Sequence, residues 1–161
     1  MPAKSILVRI LEWNRKRNGL KFDPILETRL LTEEANEFAM ATTTAERLRE
    51  YCDFMFVVCG TRCKYLASRL QSADALINTF NKWQTMKQWA VQTEESMWEI
   101  LTNEGVTESQ VEEALAIVIY ANEDKPATKN EYGKVIKGDT YVDPIAAIKA
   151  LIGEQDSGYE A

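Results

Sequence analysis

Histidine is absent from the 161-residue sequence. That absence excludes a Ser-His-Asp or Cys-His nucleophilic mechanism and removes imidazole as a metal ligand. Metal chemistry is therefore expected to be carboxylate chemistry, and an oxygen ligand set favours Mg²⁺ or Mn²⁺ over zinc or copper. Cysteine is scarce: Cys52, Cys59 and Cys63 are an odd number along one helical stretch. They suggest no disulfide framework and point to a reducing, cytoplasmic compartment. No apolar run approaches the roughly 18 residues of a membrane span, and Arg9 interrupts the apolar pattern of residues 1–12. Neither a secretory nor a transmembrane segment is expected, and no membrane partner. Positive charge is also in deficit, with 19 Lys and Arg against 25 Asp and Glu. The net −6 disfavours broad nucleic-acid binding, which rests on neutralising phosphates.

What is present is a globular composition, 45% hydrophobic and 27% charged, in a length that fits one domain over residues 1–161. The periodicity is that of an all-α helical bundle. Ile6, Leu7, Ile10, Leu11 and Asn14 share a helical face over Lys4 to Lys16, with a stop at Arg17-Asn18-Gly19. Pro24 suits the first turn of a second helix that runs toward Met40. Thr43 and Glu46 have the form of a capping box opening a third helix to about Ala67. The middle of that helix, Phe54 to Cys59, is apolar on nearly every face, which marks a bundle centre or a subunit interface. Asp74 to Leu101 predicts a long helix with a break near Thr93. Thr107 and Gln110 predict a capping box for a helix to about Asn122. Pro126, Gly133 and Gly138 among lysines predict a loop over 123–142, a short helix follows from Asp143 to Ile152, and the tail from Glu154 is expected to fray. Self-association as a homodimer or homotetramer is expected, because the third helix is too apolar for so short a chain to cover easily.

The chemistry-bearing pattern is Glu33-Glu34-Ala35-Asn36-Glu37, then Glu50-Tyr51-Cys52-Asp53. Residues three apart share a helical face, so Glu34 pairs with Glu37 and Glu50 with Asp53. With a turn near Thr42 in a hairpin over residues 25–67, Glu34 and Glu50 fall at one height, and the four levels span about 9 Å. Like charges held together shift toward protonation, and a divalent cation removes the conflict. The bland alternative is a solvated acidic face, the reading adopted for Glu46, Glu94, Glu95, Glu99, Glu112 and Glu113.

At these residues the sequence resembles the all-α nucleoside triphosphate pyrophosphohydrolases, the superfamily of MazG, dimeric dUTPase and phosphoribosyl-ATP pyrophosphohydrolase, whose signature is EExxE followed by ExxD. Ala121-Asn122-Glu123-Asp124-Lys125 and Gly133-Lys134-Val135-Ile136-Lys137-Gly138, continued by Tyr141 and Pro144, resemble a second segment of phage and bacterial MazG-like proteins. The resemblance implies Mg²⁺-dependent hydrolysis of a nucleoside triphosphate, with a deoxynucleotide favoured, to the monophosphate and pyrophosphate. It implies metal ligation by Glu34, Glu37, Glu50 and Asp53, with Asn122 and Lys125 near the phosphates. Lys134 and Lys137 add mobile positive charge for phosphate contact, and their bland reading is a solubilising loop. Glu33, or whichever carboxylate is left free, is the candidate to orient or deprotonate the attacking water. Relatives often carry an aromatic-histidine pair in the first helix where this chain has Trp13-Asn14. Trp13 is expected in the core, and Asn14 either caps or bonds the base. The alternatives are a narrower enzyme acting on dUTP or phosphoribosyl-ATP, and a non-catalytic helical interaction protein of the same fold.

Overall fold

The computed structural model describes residues 4–68 and 73–154. The tail expected to fray lies, beyond Glu154, outside the described residues, as do the side chains of Leu76 and Ile77. Among the described residues the chain is all-helical, with one isolated antiparallel bridge, Lys129 to Val135, and no strand. The helices are α1 (Lys4–Asn18), α2 (Pro24–Met40), α3 (Thr44–Ser68), α4 (Ala73–Asn103), α5 (Glu108–Glu123) and α6 (Ile145–Ile152). None is long and apolar enough to cross a membrane.

Local chemistry explains most boundaries. The Asp23 carboxylate accepts from the backbone N–H groups of Ile25 and Leu26, and Pro24 occupies the first turn, so α2 starts where its orphan donors are satisfied. Thr107 and Gln110 form both halves of the expected capping box on α5. The box expected on α3 is shifted by one residue. Thr43 Oγ1 accepts from Glu46 N at 3.1 Å, and the Glu46 carboxylate accepts chiefly from the backbone and hydroxyl of Thr42, with a lesser bond from the Thr43 backbone. The break expected near Thr93 does not exist. Residues 73–103 contain neither Gly nor Pro, and Trp83, Met86, Ala90, Met97 and Leu101 keep one buried stripe in step across Thr93. Gly105, at φ 87°, then ends α4 as Val106 N bonds back to Leu101 O at 3.0 Å. The last helix begins at Ile145 rather than Asp143, whose carboxylate accepts from Ile145 N and so stands outside the helix.

Helix α3 packs against all five other helices. Within its apolar middle, Phe54, Phe56 and Cys59 are buried, and Met55, Val57 and Val58 are half-buried and packed against the core. On α4, Trp89 and Ile100 are partly exposed along one flank of the buried stripe, and Val91 along the other. Helices α2 and α3 run antiparallel: Glu34 faces Glu50 and Asp53 near their joining turn, and Glu27 meets Thr61 and Lys64 two turns away. Helix α1 crosses α3 closely at Gly60, where an added Cβ would lie 2.8 Å from Asn14 Nδ2. Arg17, at the end of α1, donates to the carbonyls of Glu123 and Lys125 and so fixes the start of the lysine loop.

Gly60→Ala is expected to destabilise the fold by about 1–3 kcal/mol, since the Asn14 amide must give way and its bonds to Ile10 O and Asn18 are disturbed. A chemical denaturation midpoint equal to that of the unsubstituted protein would refute this account of the α1/α3 crossing.

Candidate functional site

Helices α1, α2 and α3 and the loop after α5 enclose a cleft of about 850 Å³. Its outer end is acidic. One carboxylate oxygen from each of Glu34, Glu50 and Asp53 lies within 4.8 Å of the others, an arrangement that can hold a metal ion. The geometry follows from register: Glu50 and Asp53 share a face of α3, and the antiparallel turn sets Glu34 of α2 against them. Glu34 is buried, Asp53 is about one-fifth exposed, and the Oε2 atoms of Glu34 and Glu50 are buried with no hydrogen-bond partner. Orphaned buried carboxylate oxygens in an all-oxygen set fit a hard divalent cation. Glu37 does not join this trio. It stands exposed at the rim and hydrogen-bonds the Glu50 carboxyl, because it lies one turn nearer the end of α2. Glu33 is also apart: it forms an ion pair with Lys134 across the cleft mouth.

The electrostatics record the crowding. Burial, then the charges of Asp53 and Glu37, push the Glu34 carboxyl up to about 9 against Lys134. Burial, Asp53 and the bond to Glu37 push Glu50 up to about 8. Burial raises Asp53 to about 6, restrained by Arg49 and Lys125. Cation-free, the cluster therefore holds protons at neutral pH, and its titration belongs to the group as a whole.

The lysine loop covers the acidic end. Lys134 reaches Glu33, while Lys125 and Lys137 lie over the Tyr141 ring at 5.5 and 4.9 Å. Burial lowers the Lys125 ammonium despite the attraction of Asp53. The loop is irregular but bonded: Asn130 Oδ1 accepts from the N–H groups of Tyr132 and Lys134, and Ile136 N donates to Thr128 O. Asn122 lines the cleft with its side chain turned back to Val118 O, and its own carbonyl accepts from Trp13 Nε1 at 2.7 Å. Asn14 neither caps a helix nor stands free. Its Nδ2 donates to Ile10 O and its Oδ1 accepts from Asn18. Trp13 packs edge-on to Phe56 and also lines the cleft.

Sequence reasoning passed over two features. Arg49, four residues before Asp53 on the same face, lies 3.6 Å from it and 3.0 Å from Asp143, which ties the end of the loop to α3. Its i, i+4 spacing to Asp53 was the available signal. Glu27, Thr61 and Lys64 form a buried polar cluster at the inner end, and Glu27 to Lys64 leaves no such local spacing to detect. Of the acids read as solvated, Glu46 caps α3 and Glu94 accepts from the Tyr51 hydroxyl. In comparisons with known proteins, no family model, no curated protein and no solved structure matches the chain.

Because the three carboxyls ionise at higher pH in the fold than in the unfolded chain, their contribution to the stability of the cation-free protein is greatest below about pH 4 and is lost as pH rises through about 6 to 9. A melting series in chelator should show that fall, and adding Mg²⁺ at pH 7 in weak buffer should release about one to two protons per chain. A melting temperature that climbs from pH 5 to 9 without cation would contradict the arrangement.

Proposed function

We propose that this protein is a MazG-like, all-α nucleoside triphosphate pyrophosphohydrolase that uses Mg²⁺ to release pyrophosphate from a nucleoside triphosphate, a deoxynucleotide being favoured. One observation carries this reading: three converging carboxylates at the end of a cleft, with Arg49 beside them on α3 and a facing loop that presents Lys125, Lys134 and Lys137. That juxtaposition suits a polyphosphate, which would be neutralised by cations held on the carboxylates, by the neighbouring guanidinium and by the ammonium groups of the loop.

Glu34, Glu50 and Asp53 would hold the metal, with Glu37 at the rim available to complete the set. Bound divalent cations supply neutralisation of the polyphosphate and acidification of water. The chain's own residues do the rest. Lys134 exchanges Glu33 for a phosphate oxygen when substrate enters, which frees the Glu33 carboxylate to accept the proton of the attacking water. Arg49, always charged, faces the developing negative charge of the leaving pyrophosphate. Lys125 and Lys137, held over Tyr141, orient the remaining phosphates.

Pyrophosphate release from a panel of ribo-, deoxyribo- and non-canonical triphosphates should require Mg²⁺, vanish with EDTA and fall about 100-fold or more in Asp53→Asn. Metal binding without turnover of any substrate would favour a non-catalytic helical protein. Self-association as a homodimer or homotetramer is assigned to the flank of α4 on which Trp89 and Ile100 are exposed. Light scattering should give a multiple of 18.4 kDa, and Trp89→Glu should reduce it.

A further inference from the structure

The inner end of the cleft contains a polar group that neither the acid cluster nor the lysine loop uses. Glu27 is fully buried in the first turn of α2. Its Oε1 accepts from Lys64 Nζ at 2.8 Å and from Thr61 Oγ1 at 3.0 Å. Its Oε2 is buried and has no hydrogen-bond partner. An ion-paired carboxylate is an acceptor only, and a buried acceptor without a donor is costly, so this oxygen marks a place where a donor belongs.

Position says which donor. Glu27 precedes Glu34 by seven residues, two turns or about 10.5 Å along α2, and Lys64 follows Asp53 by eleven, about three turns along α3. The acid cluster and the Glu27–Lys64 pair therefore close opposite ends of one cleft, separated by about the length of a nucleoside. Between them lie the apolar side chains of Leu30, Phe56 and Val57, walls suited to a flat ring. A triphosphate anchored at the acidic end directs its base toward Glu27.

We infer that Glu27 Oε2 reads the nucleobase by accepting a hydrogen bond from an exocyclic amino group, as cytosine offers at C4 and adenine at C6. Uracil, thymine and hypoxanthine place a carbonyl there, which meets the carboxylate lone pair against lone pair and leaves it unpaired. This assignment rests on the nucleotide-hydrolase reading for the direction in which the ligand lies. Glu27→Gln makes the sharpest variant. Lys64 can only donate, so the amide must keep its oxygen toward Lys64 and present its NH₂ where Oε2 stood. An acceptor becomes a donor, and the preference is expected to invert.

The test uses matched pairs that differ only in amino against carbonyl: binding of dCMP against dUMP and of dAMP against dIMP by calorimetry, with turnover of the corresponding triphosphates in Mg²⁺. The unsubstituted protein should prefer the amino member of at least one pair by about 10- to 100-fold, and Glu27→Gln should abolish or reverse that ratio. Since the single variant leaves Lys64 buried and unpaired, Glu27→Gln/Lys64→Met is the companion that keeps volume without the charge, and in it the preference should disappear. Equal binding within both pairs by the unsubstituted protein overturns the proposal. So does a folded variant that weakens both members alike, which would make Glu27 a structural residue. An amino preference in monophosphate binding with no triphosphate turnover would uphold the base contact and sink the hydrolase. Turnover without the preference would do the reverse.

Discussion

Like charges held close together between α2 and α3 are the constraint on which the rest of this structure depends. Glu34, Glu50 and Asp53 have oxygens within 4.8 Å of one another in a setting that is largely withdrawn from water. No arrangement of apolar neighbours relieves that repulsion; only protons, a cation or nearby basic side chains can. The surrounding molecule supplies the last of these. Arg49 flanks Asp53 on its own helix, and the loop after α5 carries Lys125, Lys134 and Lys137 across the mouth. Arg17 and the Arg49–Asp143 pair fix the two ends of that loop.

The cleft handles buried charge in two ways. At the inner end Glu27 has its own cation, Lys64, and the pair is satisfied except for one oxygen. At the outer end the carboxylates exceed the cations that touch them, and the surplus is expressed as raised proton affinity. A paired buried acid is a fixed structural element, whereas acids in excess of the cations beside them keep a raised affinity for protons or cations. On the proposed reading the acidic end takes the polyphosphate and the Glu27 end the base.

The helices were legible because each announces itself locally. Asp23-Pro24, Thr107 with Gln110, and Gly105 mark their boundaries through bonds to backbone a few residues away. The exception is instructive: Thr93 resembles a break only when its neighbours are ignored, and the stripe from Trp83 to Leu101 overrides it. The acid cluster was legible for the same reason, since i, i+3 spacing and a short turn bring Glu34, Glu50 and Asp53 together with little help from the rest of the chain.

Sequence alone determined the all-α class and the grouping of Glu34, Glu50 and Asp53, because periodicity and helical spacing act over a few residues. Only tertiary structure decided that Glu37 stays at the rim, that Glu33 is taken by Lys134, and that Phe54, Phe56 and Cys59 of α3 are covered within one chain while α4 leaves Trp89 and Ile100 exposed on one flank. It alone joined Glu27 to Lys64, 37 positions apart. Those outcomes depend on how helices distant in sequence pack and which face each turns inward, and no local pattern encodes that choice.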